Sequence, residues 1–424
     1  MGGARRVTQD QIVLDAGGAY RIADVDLGEP LEPIRLEPGE AGVAIVVRRG
    51  GRPLGFGARA VTRGMVEPGE LGRLVAEAAA KQILREQIAD ELDALHGDAA
   101  APEPPSVTLA VCTRDRPDDL ARCLDAALAV RDEAGTALRI MVVDNAPSDD
   151  RTASLVASRS GVDYVHEPKP GLDFARNRAL SESSSEFVAF VDDDAVVDRG
   201  WFGGFAAALR SNPDAAAVTG QVLPYSLDTQ AQALFEARGG FRRGFAPVRY
   251  KGQRHISNRF YPCAAGIFGA GCNMVLRRST ILKLGGFDEA LDTGPPLPGG
   301  GDLDIFYRVI RAGHPLVYEP RLLVFHEHRR EYAALRRQYW TWGEGLMAFV
   351  TKSHAADPGM RARLRRMTAW WFQHQLHELV ASARGRSRHP PDLVAAQIAG
   401  ALAGLGGTYR RSARRSERIR REHG

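Results

Sequence analysis

Three consecutive aspartates, Asp192 to Asp194, follow directly on the apolar run that begins at Val188. Side chains two apart on a strand point the same way, so Asp192 and Asp194 can face one ligand while Asp193 faces elsewhere. Carboxylates at the end of a buried strand repel one another, and a divalent cation among them removes that cost. Hard oxygen ligands suit Mg²⁺ or Mn²⁺, and such an ion keeps positions open for phosphate oxygens. The alternative is an Asp-rich surface turn.

A second cluster follows three glycines, Gly299 to Gly301. Glycine lets the backbone approach a ligand closely and adopt positive φ. Asp302 then begins an amphipathic helix, where it either caps the helix or acts as a general base on an acceptor hydroxyl. Residues two apart on a helix do not share a face, so only one of Asp302 and Asp304 can take that role.

Two histidines, His326 and His328, alternate out of an apolar strand. Neutral imidazole is a good ligand for Mn²⁺ beside carboxylates, although a structural histidine is the alternative. Between the helix cluster and the aspartates lies FGAGCNMVLRRS (268–279), a Gly-rich loop ahead of a strand. Such a loop can approach a diphosphate or a sugar, but a single Gly-x-Gly is not specific.

Apolar strands alternate with helices from Val107 onward. The predicted strands cover residues 106–113, 138–145, 162–167 and 186–194. Near-continuous apolar strands favour a doubly wound, mostly parallel α/β sheet with helices on both faces. Ligands bind beyond the carboxyl ends of such strands, where Thr113-Arg114-Asp115, Asp144-Asn145 and the aspartate run all lie. We therefore expect these clusters to converge on one edge.

We place this domain at residues 106–345. The regions on either side of it have different sequence patterns. Residues 1–98 predict a small α+β module with a hairpin turn at Gly50-Gly51 and a helix from about 68 to 96. A proline-containing linker, 99–105, follows. Residues 346–424 predict a helical region that ends in an arginine-rich tail, either solvated or disordered, or docked on an anionic surface.

Composition excludes several classes of protein. The 424 residues carry a net charge of +4, and the four cysteines show no zinc-finger or disulfide spacing. No run reaches the roughly 18 apolar residues of a membrane span. We expect a cytoplasmic protein without a nucleic-acid partner. Peripheral contact with the inner face of the membrane through 361–424 is a further hypothesis, because the helix near Trp371 pairs an apolar stripe with arginines and histidines.

Seven motifs occur in an order that resembles the family 2 glycosyltransferases with the GT-A fold. They are VCTRDRPDDL, VVDNAPSDD, GLDFARNRAL, FVDDDAVVDRGW, FGAGCNMVLRR, GGFDEAL and GGGDLDIFYRV. Single motifs are weak, whereas their order, from about Val107 to about Trp342, is specific. The resemblance implies a metal-dependent, inverting glycosyltransferase that moves a sugar from a nucleotide diphosphate sugar, most commonly a UDP-sugar, to an acceptor hydroxyl.

The resemblance also implies roles for the matching residues. Asp302 would be the base, and Asp194 with His326 (or His328) would bind Mn²⁺ or Mg²⁺. The nucleotide-sugar side would comprise Thr113, Arg114, Asp144, Arg176, Asp192, Asp193 and Gly271. Family members usually carry Glu where this chain has Gly301. From the sequence itself, Asp304 is expected on the acceptor side. Trp340 and Trp342 are expected either to border the acceptor or to be packing residues.

Two other functions stay open. A nucleotidyltransferase would carry a Gly-rich phosphate loop after its first strand, but AVCTRDRPDDL contains no glycine. A catalytically degenerate scaffold that binds sugar nucleotides is opposed by the intact polar positions, Gly301 excepted. The acceptor could be a natural product, a polysaccharide or a lipid-linked molecule. Accessory acceptor binding and homodimerisation are both open roles for residues 1–98.

Overall fold

A computed structural model describes residues 14, 18–96, 104–252, 254–255 and 258–423. Its first part is a three-stranded sheet with a small two-stranded ribbon and a long helix. The elements are β1 (Ala19–Asp26), β2 (Ile34–Arg35), β3 (Glu40–Arg49), β4 (Arg52–Ala60), β5 (Met65–Val66) and α1 (Pro68–His96). Gly50 and Gly51, both at positive φ, join β3 to β4 in the predicted hairpin. Most of the predicted linker, 99–105, lies outside the described residues.

This first part packs directly against the rest of the chain. One apolar cluster contains residues from both, namely Tyr20, Ala44, Val46, Phe56, Leu223, Leu227 and Leu323. Arg48 adds a polar bridge, since it binds Asp24 at 2.5 Å and Asp198 at 2.7 Å. A domain boundary at residue 98 therefore stays a prediction.

The centre of the molecule is a nine-stranded sheet flanked by helices. Its strands are β6 (Val107–Thr113), β7 (Leu138–Asn145), β8 (Val162–Glu167), β9 (Phe187–Asp192), β10 (Ala195–Val197), β11 (Ala217–Pro224), β12 (Val248–Tyr250), β13 (Asn273–Arg277) and β14 (Leu316–His326). The helices among them are α2 (Pro117–Ala134), α3 (Arg151–Ala157), α4 (Leu172–Glu182), α5 (Trp201–Ser211), α6 (Gln230–Ala237), α7 (Arg278–Lys283) and α8 (Gly301–Arg311). The predicted α/β architecture with a central, mostly parallel sheet is confirmed.

The order of the strands brings the polar clusters to one edge. The main path of the sheet is β10-β14-β11-β13-β9-β6-β7-β8, and β12 pairs with β14. The four predicted strands, β9, β6, β7 and β8, run parallel, so their carboxyl ends share an edge. Antiparallel β13 pairs Asn273 with Val191 at the end of β9. Likewise β10 pairs Ala195 with His326 at the end of β14.

Both faces of the sheet are covered, which explains its near-continuous apolar strands. On one face, α2 and α5 pack through residues such as Leu124 and Trp201. On the other face, α4 and α8 pack through residues such as Leu180 and Phe306. The strands supply alternate residues to the two cores; Val191 joins the first and Phe190 the second.

Four helices complete the chain as predicted: α9 (Tyr332–Ala356), α10 (Arg361–Ala383), α11 (Pro391–Ala403) and α12 (Tyr409–His423). Helices α9 and α11 approach so closely that glycine is required at the contact. A Cβ on Gly343 would lie 2.0 Å from the Gln397 carbonyl oxygen, and one on Gly400 would lie 2.0 Å from the Trp340 carbonyl oxygen. Within the described ranges, no helix has both the length and the apolarity to cross a bilayer.

The arginine-rich segment forms a helix, α12, whose arginines are mostly exposed, and it is not a disordered tail. Its Ser412 and Ile419 are buried. The Ser412 and Thr293 hydroxyl oxygens lie 2.8 Å apart, and Tyr409 donates to Asp288 at 2.8 Å. The sequence concealed this docking because the buried residues are few and scattered among arginines.

Candidate functional site

A cavity of about 340 Å³ lies at the carboxyl ends of β6, β7 and β9. Its polar walls are formed by Thr113, Arg114, Arg116, Asn145, Asp192, Asp193, Asp194, Asp292 and Arg329. A larger cavity, of about 760 Å³, lies between the β3–β4 hairpin and α5. We place the candidate site in the smaller cavity, because the buried arginine of the larger one, Arg48, is already neutralised by Asp24 and Asp198.

Asp193 lies in the site, which corrects the expectation that it faces elsewhere. Strand β9 ends at Asp192, and the chain turns through Asp193 and Asp194 into β10, so the two-residue alternation stops. Asp193 accepts hydrogen bonds from the Thr113 hydroxyl at 2.7 Å and from Arg116 at 2.5 Å. Arg116 also donates to Asp194 at 3.1 Å. All three aspartates therefore line one cavity.

The three carboxyl groups have different proton affinities. Burial raises the pKa of Asp193 to about 7, although Arg116 acts in the opposite direction. Burial and the neighbouring Asp194 raise the pKa of Asp192. Burial alone would also raise the pKa of Asp194, but His326 and Arg116 beside it hold that pKa well below its usual value. Asp194 is thus the most strongly ionised carboxylate of the run.

A chain of polar contacts runs from Asp194 into the core. His326 Nε2 lies 3.2 Å from Asp194 Oδ1, and His326 Nδ1 lies 3.2 Å from His328 Nδ1. His328 Nε2 lies 2.8 Å from Glu236, a buried carboxylate that also binds Arg242 at 2.8 Å. His326 therefore faces the aspartates, whereas His328 faces away from them. The sequence missed Glu236, which lies about ninety residues upstream on α6 with no motif around it.

The contacts from Glu236 through His328 to His326, which we call the histidine chain, determine which nitrogen of His326 points into the site. Glu236 accepts the proton on His328 Nε2, which leaves His328 Nδ1 to accept the proton on His326 Nδ1. His326 Nε2 then directs a lone pair toward Asp194 Oδ1, which is buried and has no hydrogen-bond partner in the described chain. Two acceptors so close together require a proton or a metal cation between them. Asp194 accordingly raises the pKa of His326 despite burial.

The residues present therefore fit a divalent cation. Asp192, Cys272 and His326 place one ligand atom each within 4.8 Å of the others. Together with the unpartnered Asp194 oxygen, they offer carboxylate, imidazole and thiol donors. The sequence missed Cys272; its only signal was a cysteine directly before a strand in the Gly-rich loop.

Asp302 lies in the first turn of α8, and both of its oxygens are held by backbone amides. Gly271 donates to Oδ2 at 3.1 Å, and Leu303 donates to Oδ1 at 2.8 Å. The predicted neighbour Asp304 is not near the cavity. It is buried on the opposite side of α8, where it binds Arg308 at 2.7 Å and Lys352. The acceptor-side expectation for Asp304 is wrong, because the helical turn rotates it into the core.

Gly301 adjoins two carboxylates that leave no room for a side chain. A Cβ at this position would lie 2.2 Å from Asp173 Oδ2 and 2.6 Å from Asp292 Oδ2. The Gly301 amide donates to Asp292 Oδ2 at 2.9 Å. Burial raises the pKa of Asp292 to about 6. The glutamate that family 2 members usually carry at this position would not fit, because the carboxylates of Asp173 on α4 and Asp292 before α8 occupy the space that its Cβ would need.

Two residues expected to contact the nucleotide lie below the cavity and not on its wall. Arg176 is buried and binds Asp173 at 2.9 Å and Asp292 at 3.4 Å. Asp144 is fully buried and accepts a hydrogen bond from the Tyr164 hydroxyl at 3.0 Å. Burial raises the pKa of Asp144, and its Oδ1 has no partner among the described residues. Arg176 thus orders the carboxylates, and direct contact with a base is not supported.

The two tryptophans also lie away from the cavity wall. Trp342 packs among Phe235, Phe241 and Tyr339, with ring centroids 5.5 to 5.7 Å apart. Phe241 in turn packs against His326 at 5.3 Å, so this cluster supports the histidine chain. Trp340 is 40% exposed on α9. Packing therefore replaces the expected acceptor contact of Trp342, whereas that of Trp340 stays a prediction.

Part of the chain is similar to known glycosyltransferases. Residues 108–284 match the family model described as glycosyl transferase family 2. This match includes the three aspartates and Gly271, and it ends before Asp302 and His326. The chain is 30% identical over 265 residues to the pre-mycofactocin glycosyltransferase of Mycobacterium tuberculosis (strain H37Rv), covering 58% of this chain and 50% of that protein.

A second relative is the succinoglycan biosynthesis protein ExoM of Rhizobium meliloti (strain 1021). It is 29% identical over 246 residues, covering 56% of this chain and 73% of that protein. The chain spans about half the length of the first curated relatives it matches. A mannosyltransferase from Pyrobaculum calidifontis, solved with GDP-Man and Mn²⁺, covers 80% of this chain and 92% of its own at 19% identity and a TM-score of 0.44. So distant a likeness carries no argument about donor or metal.

Proposed function

We propose that this chain, whose residues 108–284 match glycosyl transferase family 2, is an inverting glycosyltransferase of the GT-A type. It would move a sugar from a nucleotide diphosphate sugar to an acceptor hydroxyl. The observation that carries the proposal is the convergence of Asp192, Asp193 and Asp194 on one cavity, with His326 and Asp302 beside it. The nucleotidyltransferase and scaffold alternatives have no comparable support.

The donor would bind along the wall that carries Arg114, Arg116 and Arg329. These guanidinium groups attract a diphosphate, and Arg116 also keeps Asp193 and Asp194 in place. The donor's nucleotide and sugar are proposals to be tested, beginning with UDP-sugars. Asp194 and His326, with Asp192, would hold Mn²⁺ or Mg²⁺. When bound, this cation would neutralise the charge that develops on the leaving diphosphate.

The acceptor would approach from the side of α8. As its oxygen forms a bond to the anomeric carbon, the bond from that carbon to the diphosphate breaks, and the hydroxyl proton passes to a carboxylate. Asp302 is the proposed base. Asp292 supplies a second carboxylate on this side, since it lines the cavity and its Oδ2 is held by the Gly301 amide. We assign it the orientation of the acceptor.

Nucleotide release from a panel of sugar nucleotides with Mn²⁺ tests this proposal. Asp302→Asn should lower turnover by about 100-fold or more, because amides do not accept protons at neutral pH. Asp304→Asn is the matched control two residues further along. It should act on thermal stability instead, because Asp304 binds Lys352 and Arg308 in the core. Full turnover by Asp302→Asn would refute the base assignment, and no release from any donor would refute the function.

Peripheral contact with an anionic membrane is a second, weaker proposal. Exposed apolar side chains on α10 and after α11, including Leu376 and Leu405, lie in the same helical region as the exposed arginines Arg410, Arg414 and Arg418 of α12. Replacing these three arginines with serine should reduce flotation with phosphatidylserine vesicles and leave the fold intact. Equal flotation of both proteins would refute the contact. Cytoplasmic location and homodimerisation stay predictions, and sedimentation analysis tests the latter.

A further inference from the structure

Cys272 lies at the aspartate edge, which is the carboxyl end of β9 with Asp192, Asp193 and Asp194. Neither the motifs nor the proposed reaction assigns it a role there. It directly precedes β13, whose Asn273 pairs with Val191 of antiparallel β9. The same register sets Cys272 opposite Asp192. The side chain is 4% exposed, and its sulfur lies within 4.8 Å of a ligand atom of both Asp192 and His326. The ends of β9 and β14 and the residue before β13 thus bring one donor atom each to the same small region.

A buried thiol has little reason to lie at this point unless a cation shares it. Its sulfur lies among the donor atoms of Asp192 and His326, where an apolar side chain of similar size would fill the same space. A metal cation favours a thiol here, because it deprotonates a coordinating thiol.

The contacts of the two histidines leave a place for a cation at the same point, because His326 Nε2 and Asp194 Oδ1 need either a proton or a cation between them. The contacts from Glu236 through His328 leave the Nε2 lone pair of His326 directed at the site. A hydrogen-bonded partner on the other ring nitrogen is the arrangement that orients metal-binding histidines. The unpartnered Asp194 Oδ1 lies 3.2 Å from that lone pair.

We propose that Cys272 is a ligand of the divalent cation at this edge, together with Asp192 and His326. This inference rests on the proposed metal-dependent function and deepens it. The thiol would lose its proton to solvent as the sulfur binds the metal, so that the thiolate replaces one water ligand. A sulfur donor disfavours Mg²⁺ relative to softer ions, and the site would therefore prefer Mn²⁺, Co²⁺ or Zn²⁺.

Cobalt binding to the metal-free full-length chain tests this directly, without donor or acceptor. We expect a near-ultraviolet charge-transfer band, which arises only when a thiolate binds Co²⁺, and the release of a proton that Cys272→Ser does not release. Cys272→Ser should abolish the band and weaken Co²⁺ binding at least about tenfold. Cys112→Ser is the matched control, since Cys112 is the last residue but one of the neighbouring strand β6 and lines the same cavity. It should keep the band.

The outcomes separate this inference from the function beneath it. Calorimetric Co²⁺ binding without the band, or a band that survives in Cys272→Ser, would overturn the role of Cys272 and leave the metal-dependent function standing. If the band is lost in Cys112→Ser instead, the thiolate that binds Co²⁺ is Cys112, and our assignment to Cys272 is wrong. Failure of the wild type to bind Co²⁺, Mn²⁺ or Mg²⁺ would overturn both proposals. Circular dichroism of each variant excludes misfolding as the cause.

Discussion

The aspartate edge and the start of α8 both contain carboxylates close to one another, and these carboxylates are stabilised by different kinds of partner in the two regions. At the aspartate edge, Asp193 and Asp194 are balanced by the side chains of Arg116 and His326. At the start of α8, Asp292 and Asp302 are held largely by backbone amides, including that of Gly301. A cation can replace the side chains that balance the carboxylates at the aspartate edge, whereas it cannot replace the hydrogen bonds from backbone amides. The first region is therefore suited to binding and the second to fixed orientation.

The largest effect should distinguish two neighbours within the aspartate edge. Asp194→Asn removes the carboxylate that faces His326, so turnover with Mn²⁺ should fall more than the roughly 10–100-fold typical of outer-shell changes. Asp193→Asn should lower turnover by about tenfold only, because Thr113 and Arg116 donate to different oxygens of Asp193 and one of these two hydrogen bonds is kept by the asparagine oxygen. Nucleotide release at saturating Mn²⁺ measures both. Equal losses would show that Asp193 is as important to the site as Asp194.

Gly301→Ala probes the rigid region. Its methyl group would collide with Asp173 and Asp292, whose carboxylates are fixed by Arg176 and the helix start. We expect a loss of about 1–3 kcal/mol in the free energy of unfolding. Gly299→Ala is the control, because its Cβ would meet nothing closer than 3.6 Å. Denaturant unfolding compares the two, and equal stability would mean that the carboxylates move aside.

The smallest effect concerns pH. Burial raises the pKa of Asp292 to about 6, with Arg176 opposing and Asp302 reinforcing the shift. Above this pKa the group is ionised and can orient an acceptor hydroxyl; at pH 5 roughly a tenth remains ionised, so acceptor-dependent turnover should fall several-fold. Stability has the opposite sign, since a raised carboxyl pKa favours the folded state at low pH and that contribution is lost as pH rises through 6.

Asp292→Asn provides the check on this assignment. The variant should lose the acidic limb of the acceptor-dependent profile while donor binding, followed by thermal shift, stays unchanged. An acidic limb near pH 6 that persists in Asp292→Asn would assign it to another group.

The sequence predicted the parts of the molecule that depend on local pattern. Apolar strands, helix starts and the order of motifs were sufficient for the α/β sheet and for the convergence of Thr113 and the aspartates on one edge. The turn after Asp192 was missed because an apolar run does not define where a strand ends. Glu236 and Asp292 were missed because their partners are remote in sequence. Burial of Arg176 and Asp144 depends on neighbouring layers, which no single segment specifies.

Helix α12 has a practical consequence. It touches the segment that carries Asp292 through Tyr409–Asp288, Ser412–Thr293 and Arg420–Glu289 contacts. A protease cut or a bulky fusion near residue 409 would therefore change the position of the segment that carries Asp292, whereas the position of the aspartate edge would not change. Preparations clipped there could still bind metal and nucleotide yet fail to glycosylate, which makes intact mass a necessary check before any acceptor screen is interpreted.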